Sequence, residues 1–74
     1  MSNQTQSDVE GAALLVCHDW MSSGERTLER LYGLADERAA RKELPKVMVR
    51  STALQLLRQR VPEILPAGMR DLKE

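Results

Sequence analysis

The chain has 74 residues, 11 Lys/Arg against 11 Asp/Glu, and a formal charge of zero. A domain of this size buries only about 60% of the surface its unfolded chain exposes, too little to pack a core and also shape a substrate or cofactor pocket, so neither an enzyme nor a cofactor is expected. Cys17 stands alone, which excludes an intrachain disulfide and a Cys/His zinc site, and the apolar run from Ala12 to Cys17 falls far short of the ~20 residues of a membrane span.

These features fit a soluble protein of a reducing cytoplasm, with no visible export signal. The neutral total hides a division of charge. The first 25 residues contain Asp8, Glu10, Asp19 and Glu25 and no Lys or Arg, whereas residues 26–60 hold nine Lys/Arg against four Asp/Glu, a net of +5.

Residues 1–6 are polar after the initiator and offer nothing to pack, so a disordered tail is expected there. Ser7-Asp8-Val9-Glu10 reads as a capping box, with serine and glutamate satisfying each other's backbone donors. A first helix from about Asp8 to Met21 follows. Val9, Ala13, Val16 and Trp20 recur at helical spacing, with Ala12, Leu15 and Cys17 beside them, and form a wide apolar stripe. Trp20 is the expected core anchor and Cys17 a small core residue.

Ser22-Ser23-Gly24-Glu25 reads as a turn, with Ser22 capping a second helix from about Gly24 to Tyr32 or beyond. Its apolar side is Leu28, Leu31, Tyr32 and Ala35. Two readings stay open beyond that point: a break at Gly33 with Asp36 capping residues 37–44, or one helix running through. Pro45 ends what precedes it, because its ring removes a backbone donor and restricts Leu44. After it, either a helix runs from Pro45 to Arg60, or residues 47–49 are extended and Ser51 or Thr52 caps a shorter helix. The spacing of Val49, Ala53, Leu56, Leu57 and Val61 favours the first. Pro62 and Pro66 bracket Glu63-Ile64-Leu65, one short turn at most, and residues 67–74 read as a flexible tail. The fold class is all-α: a bundle of three principal helices with room for a short fourth, in a single domain over residues 7–66.

Arg38, Lys42, Lys46 and Arg50 follow one another at i, i+4 spacing. Like charges so placed cost a helix a few tenths of a kcal/mol per pair, so folding gains nothing from them. A functional account is a basic stripe in which Arg38, Arg41, Lys42, Lys46 and Arg50 engage an acidic surface, with Val47 or Met48 anchoring between them. Val47, Met48 and Val49 cannot all point inward on one helix, which leaves an apolar residue for a partner. The acidic first helix has the charge to cover this stripe in the free protein. Arginine, whose planar fork binds carboxylate or phosphate through two parallel bonds, supplies most of the cations.

Other chemistries fit less well. Trp20 and Tyr32 both lie on predicted core faces, so no stacking platform for single-stranded nucleic acid is present. Leu28, Leu31, Gly33, Leu34 and Ala39 partly match a helix-turn-helix, but Glu29 stands where a small residue should be and Lys42 where an apolar one should be. A small DNA-binding regulator is therefore the alternative to protein docking. His18, Asp19, Ser22 and Ser23 do not make a catalytic set, because neighbouring helix residues point about 100° apart.

In size, neutral total charge and arginine-rich helical middle, residues 7–66 resemble the small early proteins by which bacteriophages seize host RNA polymerase. The resemblance implies a non-enzymatic regulator acting in the host cytoplasm, which inhibits or modifies transcription by binding the polymerase. It rests on general character, and no functional residue carries over from it.

Overall fold

The computed structural model describes residues 3–61. They form three helices, α1 (Asn3–Ser22), α2 (Leu28–Lys42) and α3 (Lys46–Arg60), each packed against both others, with no strand among the described residues. The expected turn at residues 63–65 and the tail at 67–74 lie outside them.

Helix α1 begins at Asn3, so residues 3–6, expected as a tail, are helical, and Ser7 to Glu10 occupy helix interior rather than its start. The segment contains no Pro or Gly, and the exposed polar side chains of residues 4–6 are neutral enough in propensity to extend a helix that is anchored further along. Val9, Ala12, Ala13, Val16, Cys17 and Trp20 turn into the core as expected. Leu15 does not: it is 48% exposed, because its position is well over 100° from the line through Val9, Val16 and Trp20.

The link between α1 and α2 is held by side chains. Ser23 Oγ donates to the Trp20 carbonyl at 2.8 Å and so closes the end of α1. Gly24, at φ 82°, takes the left-handed turn. The cap of α2 is Thr27 rather than Ser22, its hydroxyl accepting from the Arg30 amide at 3.2 Å. The buried Trp20 indole fixes this choice, since its Nε1 donates to the Thr27 carbonyl at 2.9 Å.

Helix α2 runs unbroken through Gly33 and Asp36. A helical glycine costs about 1 kcal/mol relative to alanine, but Leu31, Ala35 and Ala39 on one face are fully buried, and that packing outweighs the local preference. The end of α2 is a Schellman motif. Glu43 adopts φ 55° and ψ 45°, the Leu44 amide donates to the Ala39 carbonyl at 2.8 Å and the Glu43 amide to Ala40 at 3.3 Å, and Leu44 tucks against the core. Pro45 then caps α3, its carbonyl accepting from Val49 at 3.2 Å. This matches the longer helical reading to within one residue, so residues 47–49 are not extended.

The core is built on small contacts. Ala13, Ala35, Ala39 and Ala53 are fully buried and let the three backbones approach closely enough for the Cys17 thiol to meet the Ala53 carbonyl at 3.3 Å. Trp20, Leu31, Leu54 and Leu57 fill the remaining volume.

Candidate docking surface

The folding pattern distributes charge by helix. α1 contains Asp8, Glu10 and Asp19 and no Lys or Arg, whereas α3 contains Lys46, Arg50, Arg58 and Arg60 and no Asp or Glu. The seven sequence-derived residues lie at the end of α2 and the start of α3, joined by the Glu43-Leu44-Pro45 connection. They do not form one continuous stripe.

Arg50 is the clearest departure. Its Nε donates to Asp36 Oδ1 at 2.7 Å and its Nη2 to Oδ2 at 2.5 Å, while its guanidinium lies 4.9 Å from the centre of the Tyr32 ring. A bidentate carboxylate pair stacked on an aromatic ring ties α3 to α2. The hydrogen bond from Arg50 holds the Asp36 carboxyl below the usual carboxylate range, helped by the charges of Arg50 and Lys46, and Asp36 in turn raises Arg50 further. Arg50 is therefore a structural clasp rather than part of an open stripe. The i, i+4 spacing gave no hint of this, because the partner lies fourteen positions back on another helix.

Arg38 is also turned inward, its Nη2 meeting Asp19 of α1 at 3.4 Å with only 23% of its side chain exposed. The acidic helix thus covers part of the basic block at this end. Arg41 pairs along its own helix with Glu37 at 3.6 Å, both side chains being about two-thirds exposed, a contact worth a few tenths of a kcal/mol.

Four of the predicted residues lie at the surface, Lys42, Lys46, Val47 and Met48, and neither lysine forms an ion pair among the described residues. Val47 is 71% exposed and Met48 38%, while Val49 is fully buried, which is how this apolar triplet divides between core and solvent. Lys42 closes a groove against α1 lined by Ser7, Asp8, Ala12 and Leu15. Lys46 opens α3, whose first turn has no acidic residue. A cation at the positive end of a helix opposes the macrodipole, a cost of about 0.3–1 kcal/mol. Asp36, whose carboxyl feels the Lys46 charge, is already engaged by Arg50.

The remaining chemistry is sparse. His18 and Asp19, expected to point apart, come within 3.9 Å at the surface with 79% and 49% of their side chains exposed, beyond hydrogen-bonding distance. Burial pushes the Cys17 thiol up to about 11, against a smaller opposing pull from Arg60, so it is protonated and inert at neutral pH. Among the described residues no group of three or more His, Cys, Asp or Glu could hold a metal ion, and no helix is long and apolar enough to cross a membrane. No family model, curated protein or solved structure matches the chain.

Proposed function

We propose that the chain is a small non-enzymatic regulator that docks the corner between α2 and α3 onto an acidic surface of a larger protein. Bacterial RNA polymerase is the host assembly favoured by the resemblance to phage regulators, and the consequence of docking is inhibited or modified transcription. The observation that carries the reading is Val47, an apolar side chain 71% exposed in the first turn of α3, flanked by Lys46 and Met48 and followed across the connection by Lys42 and Arg41. An apolar anchor inside a cationic rim is suited to a partner with an apolar pocket rimmed by carboxylates: the anchor supplies affinity and the rim supplies orientation and association rate. Lys46 strengthens the argument because its position costs the isolated helix stability.

The test is direct titration of purified bacterial RNA polymerase with the fluorescently labelled chain, followed by transcription from a defined template. Saturable binding that weakens with salt, accompanied by a changed transcript yield, is expected. Absence of binding at ~50 mM salt removes the polymerase as host.

A second reading, duplex DNA, has its own observation. Glu43 in the left-handed conformation occupies the turn where a helix-turn-helix uses glycine, and fully buried Ala39 is the small residue that lets two helices approach. This moves the motif from Gly33, which is helical, to the α2–α3 connection. α3 would then be the reading helix, presenting Ser51, Gln55 and Gln59. Binding of random duplex with a steep inverse dependence on salt is the outcome that selects this class over protein docking.

A further inference from the structure

α1 has a second face that the docking surface does not use. Opposite Val9, Val16 and Trp20, its outward side runs through Ser7, Gly11, Leu14, Leu15, His18 and Ser22. None of these is an acid or a permanent cation, although solvated helix faces are normally charged. Leu14 is 45% and Leu15 48% exposed, one on each side of the midline, and a Cβ at Gly11 would meet nothing within 4 Å. Each leucine projects into a flanking groove: Leu15 beside Asp8 and Lys42, Leu14 beside Glu10, Leu56 and Arg60. Each of these two grooves has a volume of about 360 Å³.

We infer that this face joins two copies of the chain, α1 packing antiparallel on α1 about a two-fold axis between Leu14 and Leu15. The stripe is complementary to itself in that sense. Leu14 meets Leu14 of the second copy on one flank and Leu15 meets Leu15 on the other, the open notch at Gly11 receives His18, and Ser7 meets Ser22. Charge selects the direction. Glu10 lies toward the N-terminal end of the face, and Arg60 lies beside His18 and Met21 toward the other end. Antiparallel packing brings Glu10 of each copy toward Arg60 of the other, whereas parallel packing would set Glu10 of each copy beside Asp8 of the other. On the opposite flank, Asp8 and Asp19 approach across the contact, but each arrives with a cation beside it, Lys42 and Arg38 respectively. Antiparallel helices also set opposite dipole ends together. A self-complementary patch of this kind is what a two-fold interface requires.

Size sets the strength. A 20-residue helix is about 30 Å long, so one helix face with its two grooves gives less than the ~800 Å² per partner of a stable interface. The dissociation constant should fall at roughly 10–100 μM.

Sedimentation equilibrium of the full chain between ~5 and ~500 μM tests this. The mass should rise from 8.4 kDa toward twice that value, and L14E/L15E should weaken association at least ~10-fold with an unchanged helical circular dichroism signal, because both leucines are only half buried. The pairing direction is read by E10R and R60E. Each should self-associate poorly, and an equimolar mixture should recover the dimer, since each copy then offers the charge the other lacks. A mass that stays at 8.4 kDa throughout, or L14E/L15E that is folded and associates as wild type does, overturns the proposal. Failure of the mixture to recover association overturns the antiparallel arrangement.

Discussion

Replacing Trp20 with Phe tests how the bundle is held together, because Trp20 is both fully buried and hydrogen-bonded to the Thr27 carbonyl at 2.9 Å. Loss of a buried hydrogen bond costs about 1 kcal/mol net. The orphaned acceptor adds little, since the Thr27 carbonyl also takes the Leu31 amide at 3.1 Å. Shrinking the indole to a benzene ring leaves a void equivalent to about two methylenes, a further ~1–2 kcal/mol. The sum is about 2–3 kcal/mol, set against roughly 4–11 kcal/mol expected for a 74-residue domain at ~0.05–0.15 kcal/mol per residue. With about 4–8 °C per kcal/mol for a domain of this size, the melting temperature followed by far-ultraviolet circular dichroism should fall by about 10–20 °C. A fall of less than ~3 °C would refute the claim that the indole pins α1 to the start of α2.

Three further outcomes follow from the same geometry. Asp36 has a lowered pKa in the fold, so its contribution to stability is fully present above the ordinary carboxylate value near ~4 and is lost as pH falls through the lowered value. The stability gap between wild type and Asp36→Asn should therefore be widest at neutral pH and close in acid, and a gap independent of pH contradicts the clasp. Gly33→Ala, in a helix with nothing within 4 Å of the new methyl, should stabilise by about 0.5–1 kcal/mol, whereas Gly24→Ala should destabilise because φ is 82°; thermal melts of the pair check both signs. Cys17 is buried and its thiol pushed up to about 11, so reaction with a thiol-specific disulfide reagent at pH 8 should be far slower in native protein than in denaturant. Equal rates would place the thiol at the surface.

What could be read from the sequence was the part governed by local period. Val9, Val16 and Trp20 on α1, Leu31 and Ala35 on α2, and Val49, Ala53 and Leu57 on α3 all follow helical spacing into one core. Leu54, fully packed at the centre, was missed because it sits off that line and is buried only by the meeting of three helices. Local signals failed where they competed with tertiary ones. Ser22 was the expected cap of the second helix, whereas Thr27 takes that place, its carbonyl held by the indole of Trp20. Gly33 offered a break that packing on its neighbours overrode. The basic stripe was read from spacing alone, whereas Arg38 and Arg50 find acidic partners on other helices. At the corner between α2 and α3, Val47 and Lys46 face solvent.

That corner is tested most directly by the affinity of the K42E/K46E double variant for purified bacterial RNA polymerase, measured beside wild type by fluorescence anisotropy at ~100 mM salt. Both lysines are exposed and outside every ion pair seen among the described residues, so the variant should keep its helical signal while binding at least ~10-fold more weakly. A folded variant that binds the polymerase as tightly as wild type would contradict docking through this surface.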